Sequence, residues 1–208
     1  MRIPERTPEW LRRIHSLTGV IPLAVFLVEH ITLNSVALAG PGPYREVVET
    51  VRRLPGVVWI EALGIGLPLL VHMTIGVLIA TELREEGNAD ASGWVAWSQR
   101  LTGVYLLNYV IFHTWGTRLS PELLGKKKDL YTIMHEQVTG VGGFVWNALG
   151  VLSAAWHLGV GLPRFVARWW PRIAPGTLRA AAGVGYVLSA VLGIAGVAAL
   201  TAFARGTP

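Results

Sequence analysis

Long apolar stretches alternate with short polar connectors along the whole of this chain. Crossing the hydrocarbon core of a membrane takes about 20 apolar residues in a helix. Five stretches are long enough, at residues 14–36, 58–80, 100–119, 138–161 and 180–203. Little sequence remains for a soluble domain. The pattern predicts an all-α, polytopic membrane protein in which residues 1–208 form a single bundle of five transmembrane helices.

The composition supports a membrane location and excludes cofactors that need cysteine. Hydrophobic residues make up 52% of the chain and charged residues 15%, and the mean hydropathy is +0.47. Tryptophans lie near the ends of the five stretches, where indole rings anchor helices at the membrane interface. There is no cysteine, which excludes cysteine-ligated iron–sulfur clusters and covalent c-type haem attachment.

Basic residues are spread through the connectors and form no patch interleaved with aromatic residues. We therefore expect anionic lipid and no nucleic acid as a partner, although the pI is near 10. With a cytoplasmic amino terminus, 10 of the 18 basic residues face the cytoplasm, which is the orientation that the positive-inside rule favours. We interpret the first stretch as a retained helix and not as a signal peptide.

The connectors and stretch ends carry further signals. Residues 37–57 predict a plain loop or a short interfacial helix at residues 44–54, and His135 is expected to be solvated or interfacial in a later connector. The acidic segment 82–90 and the basic segment 163–175 would face the cytoplasm and could dock a protein partner.

Thr-Gly-Val triplets lie near the start of three stretches, and we interpret them as small residues that allow close helix packing. The triplets begin at Thr18, Thr102 and Thr139.

Histidines lie late in four of the five stretches. They are His30, His72, His113 and His157. An ionisable residue at membrane depth is unfavourable and indicates a functional site, and neutral imidazole is a common metal ligand. Successive helices cross in opposite directions, so late residues of the first and third helices share one level and those of the second and fourth share the other. His30 and His113 form the outer pair and His72 and His157 the inner pair, about 13 Å apart along the membrane normal.

Two pairs at two levels indicate two haems, each held by two histidines. The separation is too long for four ligands to share one metal ion and short enough for electron transfer. Bis-histidine ligation fills both axial positions of the iron, so the haems would relay electrons and bind no oxygen or substrate. For any one histidine, the alternative is a side chain hydrogen-bonded between helices. For the whole chain, an alternative is a haem-free transporter of protons or a metal ion.

Other polar residues are candidates for the same two levels. His15, Arg13 and Arg100 lie at the inner level, where they could contact a haem propionate, although the arginines could equally be positive-inside anchors. Asn34, four residues after His30, could accept a hydrogen bond from that ring. A carboxylate near the outer haem could take protons from a quinol as its electrons leave. The candidates for that role are Glu46, Glu49 and Glu61.

The histidines and their neighbours resemble those of a known family. The features that carry the resemblance are Arg13-Ile-His-Ser-Leu-Thr-Gly-Val, Val28-Glu-His30, His72, Phe112-His113 and Trp156-His157. With one late histidine in each of four helices and none in the fifth, the chain resembles the dihaem cytochrome b subunit of succinate:quinone oxidoreductases, including fumarate reductases. The resemblance is to the single-polypeptide, five-helix type, and it covers essentially the whole chain.

The resemblance implies a function for each level. The inner pair would hold the proximal haem, next to an iron–sulfur subunit, and the outer pair would hold the distal haem. The partners would be a flavoprotein and an iron–sulfur protein on the cytoplasmic face of a bacterial cytoplasmic membrane, with a quinone, usually menaquinone, near the distal haem. The quinone-site glutamate of that family lies between helices one and two, where Glu46 and Glu49 both fit loosely. The nearest alternative is a dihaem cytochrome b of a hydrogenase or a formate dehydrogenase.

Overall fold

Residues 7–82, 93–125 and 128–206 are described by the computed structural model. Throughout these ranges all regular structure is helical and no strand is present. The all-α prediction is therefore confirmed for the described part of the chain. Residues 83–90 of the predicted acidic docking segment lie outside the described residues.

The described residues form ten α-helices. These are α1 (Glu9–Val20), α2 (Pro22–Ser35), α3 (Pro41–Arg52), α4 (Val57–Trp59), α5 (Leu67–Glu82), α6 (Trp94–Thr114), α7 (Ser120–Leu123), α8 (Leu130–Val138), α9 (Val141–Trp169) and α10 (Pro175–Arg205). A 3₁₀ turn, Val36–Ala39, follows α2. Two π-helical segments, Ile60–Gly66 and Trp115–Leu119, lead from α4 into α5 and from α6 into α7.

Four helical stretches within the described ranges are long and apolar enough to cross a membrane. They are Glu9–Ala39, Val57–Thr81, Val141–Trp169 and Pro175–Arg205. They contain the first, second and fifth predicted spans and the fourth from residue 141 onward, since residue 138 ends α8. The third predicted span lies in α6 and the π-helical segment after it. With 21 residues α6 is long enough, but Gln99, Arg100 and Asn108 make it more polar, and it is not one of the four.

The first span consists of two helices and not one. Helix α1 ends at Val20 and α2 begins at Pro22, with Ile21 between them. Proline has no N–H with which to bond the carbonyl four residues earlier, here that of Thr18, and its ring crowds that carbonyl. The helical hydrogen-bond ladder is therefore interrupted just after the first Thr-Gly-Val triplet.

The two π-helical segments are joined by an ion pair. Nη2 of Arg118 lies 2.7 Å from Oε2 of Glu61, and both side chains are about half-buried. A π-helical turn inserts one residue into the helical ladder and rotates the side chains around it. The pair links the start of the second stretch to the end of the third.

Large apolar side chains cover the outside of the bundle. Residues more than half exposed include Val25, Leu63, Leu70, Val187 and Ile194. A soluble monomer rarely presents so extensive an apolar surface to water, whereas lipid tails would cover it. The protein is embedded in a membrane through these helices.

Helix α10, which carries no histidine, supports α9. These two helices pack more extensively than any other pair of described helices. Their backbones approach so closely that a Cβ on Gly159 would collide with the Gly185 carbonyl and with Ser189, as in other membrane helices that meet through small residues. The Ser189 hydroxyl donates to the Ala155 carbonyl at 2.9 Å. This contact fixes the segment of α9 that contains His157.

An apolar cluster closes the end of the bundle where α9 begins and α10 ends. Tyr44 of α3, Tyr131 of α8 and Phe203 of α10 are almost fully buried against one another. Helix α3 is the short helix predicted at residues 44–54. The sequence predicts that His135 is solvated or interfacial. In the structure it is half-buried at this end of the bundle, because α8 packs on α10 and brings His135 Nδ1 to 2.8 Å from the Phe203 carbonyl.

Asp129 joins α8 to α3. Its Oδ1 accepts hydrogen bonds from the backbone N–H groups of Tyr131 at 3.0 Å and Thr132 at 3.3 Å, as the N-cap of α8. The same oxygen lies 3.0 Å from Nε of Arg45. Burial alone would raise the pKa of Asp129, but hydrogen bonds from Arg45 and Thr132 outweigh burial and hold that pKa below its usual value.

We expect Asp129→Ala to lower the free energy of unfolding by about 1 kcal/mol, because it removes the N-cap of α8 and a half-exposed ion pair that adds little. Folding lowers the pKa of this carboxyl, so its contribution is present at neutral pH and is lost as the pH falls below about 4. Thermal unfolding in detergent, followed by circular dichroism, measures the change. Glu49→Ala is the control, since its ion pair with Arg53 is largely exposed; an equal loss in both variants would contradict the capping role.

Candidate functional site: two histidine pairs

The four intramembrane histidines meet as two pairs. The ring centres of His30 and His113 are 6.0 Å apart, and the ring planes are at 90°. The ring centres of His72 and His157 are 6.4 Å apart, with the planes at 84°. The structure thus brings together the residues that the alternating topology paired, α2 with α6 and α5 with α9.

Hydrogen bonds on His72 determine which of its nitrogens is free. His72 Nδ1 lies 2.9 Å from the His15 carbonyl oxygen. A carbonyl only accepts hydrogen bonds, so Nδ1 carries the proton and Nε2 keeps an unprotonated lone pair. That is the form of imidazole that binds a metal through Nε2.

His157 is held in the same form. Its Nδ1 lies 3.2 Å from the Thr102 hydroxyl oxygen. On the other side, His157 Nε2 lies 3.2 Å from Nε2 of the Gln99 side chain, an amide donor that faces the free lone pair. Within the described chain, Gln99 Oε1 is a buried oxygen without a hydrogen-bond partner.

The outer pair is held by a tyrosine. The Tyr109 hydroxyl donates to Oδ1 of Asn147 at 3.1 Å, so its oxygen is available to accept from His113 Nδ1 at 3.4 Å. The Tyr109 and His113 rings are also stacked, with centres 5.3 Å apart. His30 packs against Phe26 at 5.1 Å.

The expectation that Asn34 accepts a hydrogen bond from the His30 ring is wrong. Asn34 Nδ2 donates to the His30 backbone carbonyl at 2.7 Å, because the carbonyl one helical turn back is the nearest acceptor on the same helix. Its Oδ1 accepts from the Tyr44 hydroxyl at 3.2 Å. The Asn34 side chain therefore links α3 to α2, and its two hydrogen bonds go to partners other than the imidazole ring.

Each histidine pair fits one metal atom bound between its two rings. A bond from a metal to an imidazole nitrogen is about 2 Å, so two rings on opposite sides of one metal have centres about 6 Å apart. Among the described residues, no three His, Cys, Asp or Glu side chains converge as ligands of a bare ion. Two imidazoles without a third protein ligand are the donor set of a haem iron, whose remaining ligands belong to the porphyrin.

His15 contacts the inner pair directly, which sequence reasoning missed. Its ring stacks on that of His72, with centres 3.9 Å apart and planes at 13°. The two residues exchange hydrogen bonds, since His15 Nδ1 lies 3.0 Å from the His72 carbonyl. The spacing of His15 and His72 in sequence carries no signal for this contact. A propionate contact of His15 stays a prediction.

The two arginines predicted at the inner level lie on separate helices. Arg13 forms a long ion pair with Glu9, with Nε and Oε1 3.8 Å apart, and its guanidinium lies 5.7 Å from the ring centre of Trp169. Arg100 is half-buried on α6, one residue after Gln99. Propionate contacts of both arginines stay predictions.

The two predicted quinone-site glutamates lie on the exposed face of α3. Glu46 is exposed, and Glu49 pairs with Arg53, with Oε2 and Nη2 3.0 Å apart. Neither carboxylate contacts the outer histidine pair. Their part in quinone chemistry stays a prediction.

A small cavity opens beside the outer pair. Its volume is about 240 Å³, and its walls include both aromatic rings and amide side chains. The lining residues are Phe112, His113, Gln137, Gly143, Trp146 and Asn147. Gln137 and Asn147 are thus polar residues beside the outer histidine pair that sequence reasoning missed. No motif in the sequence distinguishes them.

One of three comparisons with known proteins agrees with the resemblance seen in the sequence. No protein-family model matches the chain. No solved structure matches it. The chain is 29% identical, over 196 residues, to the succinate dehydrogenase cytochrome b558 subunit of Bacillus subtilis (strain 168). The similarity covers 93% of this chain and 96% of that protein, so it extends across all the helices that carry the paired histidines.

Proposed function

We propose that this chain is the membrane-anchor cytochrome b subunit of a succinate:quinone oxidoreductase. In this function it relays electrons between a cytoplasmic iron–sulfur and flavoprotein partner and membrane quinone, through two b haems. The observation that carries the proposal is the spacing of the two histidine pairs, 6.0 and 6.4 Å between ring centres. The similarity over nearly the whole chain to a protein named as a succinate dehydrogenase cytochrome b subunit supports it.

The proposed haem ligands are His72 with His157 and His30 with His113. Haem iron, when bound, supplies a one-electron redox centre. The hydrogen bonds on Nδ1 of His72, His157 and His113 leave Nε2 of each ring free for iron. At the inner level, ligation of His157 requires the Gln99 amide to leave the position that it holds 3.2 Å from Nε2. If both histidines of a pair held the iron, no position would be left on it for a small molecule, which favours electron transfer.

We propose that α6 is a fifth transmembrane helix. It supplies His113 and packs against α9, which supplies His157, so the two helices share the membrane. Two polar residues of α6 have partners inside the bundle: Gln99 contacts His157 and Tyr109 bonds to Asn147. With five spans, a cytoplasmic amino terminus puts the inner pair on the side of the soluble partner subunits in a bacterial cytoplasmic membrane.

Succinate chemistry belongs to another subunit in this proposal, and quinone chemistry to this one. Menaquinone is the proposed quinone, and the outer pair is the proposed electron donor or acceptor for it. Glu46 and Glu49 are the proposed proton-transfer groups, because both carboxylates are exposed on α3. Arg13, Arg100 and His15 are the proposed partners of the inner propionates.

The first test removes one histidine at a time. His72→Ala is expected to remove the inner haem and His30→Ala the outer one, leaving one haem per chain instead of two, because each iron loses an axial ligand. Haem content and the reduced-minus-oxidised absorption spectrum of the purified protein measure this. His135→Ala is the matched control, since this histidine bonds to the Phe203 carbonyl and to neither pair.

Two outcomes would contradict this assignment. Equal loss of both haems from properly folded His72→Ala and His30→Ala proteins would show that the histidines do not form independent sites. A wild-type protein without a b-haem absorption band would favour a haem-free transporter.

The second test follows electrons from quinol. Menaquinol is expected to reduce the haems of the purified complex, and substitution of the working carboxylate, by Glu46→Gln or Glu49→Gln, is expected to slow that reduction by about 100-fold. Dithionite should still reduce both haems in each variant, because it needs no proton acceptor. Stopped-flow absorbance measures both rates. If both variants react with menaquinol at the wild-type rate, neither glutamate is the proton-transfer group.

A further inference from the structure

Two of the three Thr-Gly-Val triplets contact the inner histidine pair. The Thr18 hydroxyl oxygen lies 3.5 Å from His72 Nδ1, and the Thr102 hydroxyl oxygen lies 3.2 Å from His157 Nδ1. The contacts are equivalent, since one threonine on α1 meets a histidine on α5 and the other on α6 meets a histidine on α9. The sequence interpretation of the triplets as a helix-packing device missed this contact.

Each threonine hydroxyl has a single hydrogen, and this decides the direction of its hydrogen bond with the histidine. The hydroxyl of Thr18 donates to the backbone carbonyl of Ile14 at 2.9 Å, and that of Thr102 donates to the carbonyl of Ser98 at 2.8 Å. A hydroxyl has one hydrogen, so each oxygen can only accept from the neighbouring imidazole. His157 therefore presents its Nδ1–H to Thr102, whereas the Nδ1–H of His72 faces the His15 carbonyl at 2.9 Å and the more distant Thr18 oxygen at 3.5 Å. Both rings keep Nε2 unprotonated.

The glycine after each threonine makes room for the same imidazole. A Cβ on Gly19 would lie 2.5 Å from Cε1 of His72, and a Cβ on Gly103 would lie 3.1 Å from Cε1 of His157. The third triplet differs in both respects. A Cβ on Gly140 would meet nothing within 4 Å. The Thr139 hydroxyl donates to the His135 backbone carbonyl, as the other two threonines do to theirs, but among the described residues it meets no imidazole ring.

The arrangement repeats beyond the triplets. Three residues before each threonine stand His15 and Gln99, and each contacts the same histidine as its threonine does. Four residues after His72 and His157 stand Gly76 and Gly161, and a Cβ on these would lie 3.1 Å from the His15 ring and 3.6 Å from the Gln99 amide. The α1/α5 and α6/α9 helix pairs thus hold the inner histidines in matching ways.

We infer that Thr102 and Thr18 are positioning residues for the inner haem: Thr102 accepts the Nδ1–H of His157, and Thr18 is a second, longer acceptor for that of His72, beside the His15 carbonyl. The inference rests on the proposed function, because it assigns the inner histidines to iron. An accepted Nδ1–H bond makes Nε2 a stronger electron donor and fixes the ring orientation. A stronger donor stabilises ferric over ferrous iron, so the two threonines lower the reduction potential of the inner haem.

Thr102→Val and Thr18→Val test the inference, since valine keeps the shape of threonine and removes the acceptor. We expect both proteins to bind two haems, with the potential of the inner haem shifted upward and that of the outer haem unchanged. The shift should be larger for Thr102→Val, because His72 Nδ1 keeps its 2.9 Å bond to the His15 carbonyl when Thr18 is replaced. Potentiometric titration of the haem absorbance gives both potentials, and ferric electron paramagnetic resonance reports the ligand orientation.

Thr102→Ser should restore the wild-type potential, because it restores the acceptor. Thr139→Val is the matched control and should shift neither potential. Gly103→Ala tests the same contact without removing a hydrogen bond: it should lower the occupancy of the inner haem, while Gly140→Ala leaves two haems bound.

Unchanged potentials and an unchanged resonance spectrum in Thr102→Val, with both haems bound, would overturn the inference. Full inner-haem occupancy in Gly103→Ala would overturn it too, and this outcome can be read even if the valine variants do not accumulate. Either result would leave the proposed function standing. Absence of b haem from the wild-type protein would instead defeat the proposed function itself.

Discussion

The pairing of four imidazole rings inside the membrane, two by two with ring centres 6.0 and 6.4 Å apart, is the constraint on which the rest of this bundle depends. In lipid there is no water to satisfy the second nitrogen of each ring, so the protein itself must bond it. The His15 carbonyl, the Thr102 hydroxyl and the Tyr109 hydroxyl do so for three of the four histidines. Each such bond places the proton on Nδ1 and leaves Nε2 free, so the protonation state of the site follows from the packing of the helices.

The inner and outer histidine pairs are positioned by different kinds of contact. At the inner level, α1 and α6 contact the histidines of α5 and α9 through equivalent threonine and glycine positions. At the outer level, a stacked tyrosine and a phenylalanine surround the pair. The outer end is also closed by α3 and α8, whose buried tyrosines pack on Phe203. A redox relay with two chemically distinct levels is consistent with this difference, since hydrogen bonding and burial set haem potentials.

The sequence predicted the helices and the pairing of the histidines well. It did not predict features that depend on contacts between particular side chains or backbone groups. The apolar stretches predicted where helices lie, and the direction of successive helices predicted which histidines meet. The break at Pro22, the π-helical turns and α8 were not predicted, because each depends on local backbone bonding or on a packing surface supplied by a distant segment. The same applies to Asn34 and His135, whose partners are a backbone carbonyl and the end of α10.

By itself the sequence determined the all-helical architecture, the apolar surface for lipid, the absence of cysteine chemistry and the four histidines at two depths. These follow from composition and from the regular rise of a helix, which need no knowledge of neighbours. Only the tertiary structure decided which nitrogen of each ring is free, that His15 stacks on His72, and that two Thr-Gly-Val triplets meet histidines while the third does not. Rotation of a helix about its axis by a fraction of a turn would change the contacts that this helix makes and leave the hydropathy pattern the same.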